Sequence, residues 1–326
     1  MDKRERVKAA INRKPVDHVP ACFSIHFPRE NAFGDKAVRA HLDFYHQTDV
    51  DILKVMNENL VPLIGEMHSA ADWKKLPAYD RHAPFMQAQL DLIRKLRDAE
   101  PDAYLLATVH GICASTIHPL EATYGYEPVR ELMVWQLRED KELILDAEKR
   151  IADALCDLVS ACIEEGCDGI YYASLGGERR YYTDEEFDIA VKQFDLRIME
   201  RAKEAGGDVI LHICKDGLNM NRYDGYQEFC DAVNWGVYEA PLSLEEGRRL
   251  FEGKAVMGGL ANRGGVLENG SESEIEDEVK RVITGFGKDG FILGADCTLP
   301  TDIEPWRIKA AVQAARCAKT YFMIVK

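Results

Sequence analysis

Eight short runs of apolar, β-branched and aromatic residues recur along the chain, separated by longer stretches with helical spacing. The runs are VPACFSI (19–25), VDILKVM (50–56), AYLLATV (103–109), DGIYYAS (168–174), DVILHIC (208–214), AVNWGVY (232–238), KAVMGGL (254–260) and GFILGAD (290–296). Their hydrophobicity is nearly continuous rather than alternating. That is the pattern of strands covered by helices, as in a parallel sheet. Between them, residues 141–166 carry apolar positions at helical spacing and stop at Gly166. Residues 184–207 follow Thr183, a good N-cap, and end in a Gly pair. Residues 273–287 and 306–322 read as the last two helices, and residues 1–15 as a short amphipathic helix ending before Pro15. Eight strands alternating with helices predict an α/β chain. The expected fold is a single (β/α)8 TIM barrel, one domain over 1–326, with long connections at 57–100 and 110–140 on the catalytic face. No GxGxxG follows a strand and no GxxxxGK[ST] occurs, which argues against a dinucleotide fold or a P-loop.

A length of 326 residues suits one such barrel. The formal net charge of −15, from 41 Lys+Arg against 56 Asp+Glu, repels nucleic acid and anionic membranes. No run approaches the roughly 18 apolar residues that a membrane span needs. The basic opening lacks the apolar core of a signal peptide. The 9 cysteines are odd in number, irregularly spaced and free of CxxC pairs. A reducing cytoplasm is therefore expected, and any metal site must gather ligands from distant parts of the chain.

In a barrel the chemistry sits where the strands end. Those positions hold His26, Asn57, His110 with Cys113 beyond it, Tyr171 and Tyr172, His212 and Cys214, Glu239, and Asp296 with Cys297. In an extended segment residues i and i+2 point the same way, so His212 and Cys214 can face one centre. With Cys297 they form a soft N/S set that suits Zn²⁺ and leaves one position open, the catalytic pattern. The same residues also fit a packed interior, with cysteines as small hydrophobes and a satisfied histidine. His26 and Asn57 are substrate-orienting candidates by position. His110 with Cys113 reads as pocket lining, structure or a second metal pair. One of Tyr171 and Tyr172 must face the lumen. Tyr172 is the candidate ligand contact, with core packing as the alternative. ERRYY (178–182) offers either an anion contact or a solvated charge cluster.

HIC (212–214), NWGVYEAPLSLEEGRRLFEGKAVMGGLAN (234–262) and LGADCTLPTDIEPWRIKAAVQAAR (293–316) resemble the uroporphyrinogen decarboxylase superfamily. So do RERVKAAINRKPVDHVP near the start and DWKKLP (72–77). Within it, the chain is most similar to the zinc-dependent, corrinoid-linked branch, the methylcobamide:coenzyme M methyltransferase group. That resemblance implies zinc on His212, Cys214 and Cys297, with Glu239 as a further ligand that yields to substrate. It implies a methyl-corrinoid carried by a partner corrinoid protein, a small-molecule methyl donor or acceptor, and a homodimer at the family level. The rival reading is a decarboxylase acting on a tetrapyrrole. Against it, FSIHFPRE (23–30) offers only Arg29 where that branch has an arginine-rich segment, Asn57 stands where an aspartate is expected, and HGICASTIHPL (110–120) has no matching tyrosine.

Overall fold

The computed structural model describes residues 1–62, 64–240 and 242–318. Eight parallel strands form a nearly closed (β/α)8 barrel, in the order β1-β8-β7-β6-β5-β4-β3-β2. The strands are β1 (Ala21–Cys22), β2 (Ile52–Val55), β3 (Tyr104–His110), β4 (Gly169–Ser174), β5 (Asp208–Ile213), β6 (Ala232–Trp235), β7 (Ala255–Leu260) and β8 (Phe291–Ala295). Each lies within one of the eight expected runs or overshoots it by one residue. Nearly every strand residue is buried, as near-continuous apolar runs require. β1 is shorter than expected, but an isolated bridge from Ile25 to Leu299 extends its pairing. β6 stops at Trp235 because the next residues turn: Glu239 and Ala240 both donate their N–H to the Gly236 carbonyl.

The helices are α1 (Lys3–Ile11), α2 (Gly34–Thr48), α3 (Pro84–Ala99), α4 (Ile112–Tyr124), α5 (Tyr126–Glu139) and α6 (Lys141–Glu164). After them come α7 (Asp184–Phe187), α8 (Gln193–Glu204), α9 (Leu244–Leu250), α10 (Val266–Asn269), α11 (Glu272–Phe286) and α12 (Pro305–Cys317). Thr183 caps α7 as its sequence suggests, its side chain accepting from the Glu186 N–H in a capping box. The expected continuous helix at 184–207 is broken by a π turn at Asp188–Lys192, which joins α7 to α8. The two long connections are not bare loops: the first contains α3 and the second contains α4 and α5. Residues 319–322 of the expected last helix lie outside the described residues.

The chain falls into two compact units. One contains Met1–Met56, Lys95–Leu106 and the chain from Asp231 onward; the other contains Asn57–Arg94 and Ala107–Cys230. In the first, Arg6 of α1 is buried and donates to Asp51 (2.7 Å) and Asp17 (2.7 Å). α9 lies directly on the indole of Trp235. A Cβ on Gly247 would stand 2.0 Å from that ring, so only glycine allows the approach. In the second unit, β4 and β5 pair in parallel with Ala173 opposite His212 and Ser174 opposite Ile213. Arg130 of α5 and Glu178, both almost fully buried, form an ion pair there.

Candidate metal centre and its surroundings

His212 is buried on β5, and Cys214, half-buried, follows at the strand end, where its N–H donates to the Ser174 carbonyl (3.2 Å). Cys297 is half-buried just after β8. One ring nitrogen of His212 and the two sulfurs lie within 4.8 Å of one another. Tetrahedral zinc with bonds of about 2.0–2.3 Å sets its donors roughly 3.5–3.8 Å apart, so small side-chain adjustments would close this set on one ion. One imidazole and two thiols are the donors zinc prefers, and three protein ligands leave a coordination position for substrate. These residues fit the metal. Among the described residues they form the one group of three or more such side chains brought this close.

Strand alternation decides which tyrosine belongs to this face. Tyr171 and Ala173 share the His212 side of the β4–β5 pair, and the Tyr171 ring stacks on the imidazole (centroids 5.1 Å apart, planes 22° from parallel). Tyr172 points the other way. It is fully buried and donates its hydroxyl to Asp195 of α8 (2.5 Å). The expectation that Tyr172 contacts substrate is therefore corrected: it anchors β4 to a helix, and Tyr171 is the residue beside His212.

Glu239 is exposed in the turn after β6 and stands outside the group of three. The acid next to Cys297 is Asp296, which its strand-end position marks in the sequence without giving it a role. It is 1% exposed and accepts the Tyr238 N–H (2.9 Å), while its Oδ1 has no hydrogen-bond partner. Burial pushes its carboxyl up to about 7 against the pull of the Tyr238 and Val237 N–H groups, and the charges of Glu239 and Cys297 add to the rise. Its burial and its bond to the turn after β6 are not visible from that position alone.

At the end of β3, His110 donates from Nε2 to the Asn57 carbonyl (2.9 Å), and its ring packs edge-on against His118 (4.9 Å). Asn57 is buried and its side-chain oxygen accepts the Asn59 N–H (3.0 Å). Asn57, His110, Ser115 and His118 line a small pocket whose remaining walls include Phe85 and Leu155. His118 is the member that sequence spacing missed. Cys113 is buried against Tyr182, and burial pushes its thiol up to about 12. His26 is exposed just beyond Ile25. In ERRYY, Glu178, Tyr181 and Tyr182 are buried, and only Arg179 and Arg180 are solvated.

The family model for uroporphyrinogen decarboxylase matches residues 50–317. None of the curated proteins matches the sequence. Among solved structures, a methyltransferase from Methanosarcina mazei superposes with a TM-score of 0.75 at 16% identity, covering 97% of this chain and 98% of that one. A B12-independent methionine synthase from a Shewanella species superposes with a TM-score of 0.53 at 13% identity, covering 92% and 97%. At such identities the likeness shows the shared fold.

Proposed function

The chain belongs to the uroporphyrinogen decarboxylase family, and from that premise we propose that it is a zinc-dependent methyltransferase. It would move a methyl group between a corrinoid protein and a small thiol or O- or N-methyl compound. The observation that carries this reading is the convergence of His212, Cys214 and Cys297 within 4.8 Å. When bound, zinc would hold a substrate thiol as thiolate or, in the reverse direction, polarise the oxygen of a methyl donor. His212, Cys214 and Cys297 are the ligands, and no side chain of the chain acts as a covalent nucleophile. Tyr171 fixes the plane of the imidazole by stacking. Glu239, on an exposed turn, is the side chain that completes the shell and yields to substrate; its turn is held at Gly236, so the side chain can move without disturbing β6. A neighbour with the same fold over nearly its whole length is itself a methyltransferase. The corrinoid partner is part of the proposal.

Decarboxylation is the alternative that the family name favours. It requires a group at the end of β2 that can balance a developing positive charge, and Asn57 is neutral, its side-chain oxygen accepting the Asn59 N–H. The deciding measurement is metal content by plasma mass spectrometry. About one zinc per chain is expected, lost in His212→Ala and in Cys297→Ala, with methyl transfer from a methylated corrinoid protein to a thiol lost alongside. A protein purified without zinc that cannot be loaded with it overturns this reading.

A further inference from the structure

We propose that Asp195 is the positioning residue of this site: by binding Tyr172 and Ser174 on the outer face of β4, it holds Tyr171 of the inner face against His212. Its consequence for metal rests on the reading above; the ring contact itself does not. Asp195 is fully buried in α8. Its Oδ1 accepts from the Tyr172 hydroxyl (2.5 Å) and the Ile112 N–H (3.3 Å). Its Oδ2 accepts from Ser174 Oγ (2.7 Å) and the Tyr226 hydroxyl (3.1 Å). Four donors thus reach one carboxylate from β4, from the first residue of α4, and from a short 3₁₀ turn at Tyr226–Glu228. A buried carboxylate is costly unless its oxygens are saturated with donors, and one that is saturated tolerates little displacement of any donor.

Two further features aim the group. The π turn at Asp188–Lys192 places one residue more than regular α geometry in the helix just before Asp195, which rotates the following side chains. Gly111 leaves room for the close approach, since a Cβ there would stand 2.9 Å from the Ala173 carbonyl oxygen and 3.2 Å from Asp195 Oδ1. Tyr172 and Ser174 alternate with Tyr171 and Ala173, and Ala173 is in register with His212. Clamping the first pair therefore sets the height and tilt at which Tyr171 meets the imidazole. A misaligned imidazole presents its nitrogen poorly, and loss of such outer support typically costs ~10–100-fold in metal affinity.

The test uses the full chain with labelled histidine, read without metal and then with zinc. In the metal-free protein the Tyr171 ring current displaces the His212 C–H resonances, and Tyr171→Leu identifies them by moving them to the unstacked position. Asp195→Asn and Tyr172→Phe are expected to move the same resonances toward that position, and to lower zinc affinity about tenfold in competition with a chelator. Glu148→Gln, a second buried acid facing Asp195 from α6, serves as the control and leaves His212 in place. A folded Asp195→Asn whose His212 signals do not move overturns the proposal. If that variant does not fold, unmoved signals in Tyr172→Phe overturn it equally. Signals that move in a protein with no zinc affinity sustain the positioning role and remove the metal reading. Zinc binding with unmoved signals does the reverse.

Discussion

Glu148 illustrates how much a single side chain depends on its surroundings. It sits on α6, 2% exposed, and its Oε2 has no hydrogen-bond partner. Burial, and then the charge of Asp195, holds its carboxyl well above the usual range. An acid whose folded pKa lies above its unfolded one binds its proton more tightly when folded. It therefore lowers stability progressively as pH rises past the ordinary glutamate range, until the folded carboxyl also ionises. Glu148→Gln is expected to raise Tm by a few degrees at pH 8, the gain vanishing near pH 4; melts of both proteins across that interval check it. The Arg130–Glu178 pair shows the opposite case. With both side chains buried, Glu178→Gln leaves a guanidinium uncompensated and should cost about 3–5 kcal/mol in a urea melt. Neither effect was legible in the sequence, where Glu178 is one charge among several in ERRYY and Glu148 one acid on an amphipathic helix.

Among the elements, α1 is held by a charged side chain as well as by its buried apolar residues Val7, Ala10 and Ile11. Arg6 donates to Asp17 and to the buried Asp51, and Asp51 also accepts the Ala21 N–H of β1 (2.8 Å). Arg6→Met removes the cation and leaves Asp51 buried with little compensation. A loss of about 3 kcal/mol is expected, together with early hydrogen exchange of the α1 amides. Unchanged protection of α1 would show that apolar contacts suffice to hold it. The existence of α1 was plain from its spacing and from Pro15, whereas its anchoring was not, because Arg6, Asp17 and Asp51 are ordinary charges in the sequence. β4 makes the same point about orientation. Periodicity places Tyr171 and Tyr172 on opposite faces, but only Asp195 and the β5 register show which face is which.

For the whole molecule, the proposed zinc sits on a barrel whose core is built without it. Stripping the metal with a chelator is therefore expected to abolish methyl transfer while far-UV circular dichroism and cooperative melting persist. Tm should fall only by the amount that ligand linkage supplies. Unfolding on chelation would make the zinc structural instead. The charge of −15 acts at this scale too, and retention on an immobilised polyanion is not expected. No helix among the described residues is long and apolar enough to cross a membrane.

By itself the sequence determined the eight strands, the helices α1, α6, α7 with α8 as one run, α11 and α12, and the barrel they imply, because strand runs, helical spacing and caps are local signals carried by neighbouring residues. It also marked His212, Cys214 and Cys297 as a possible donor set, since strand ends and donor chemistry are readable from residue order. The tertiary structure decided what depends on residues far apart in the chain. It brought Cys297 to the β5 pair, turned Tyr172 away and Tyr171 toward the imidazole, buried Asp296 against the Tyr238 N–H and left Glu239 on an exposed turn. Those outcomes follow from register, from the face a side chain takes and from burial, quantities that exist only once the strands are paired and the helices are packed on them.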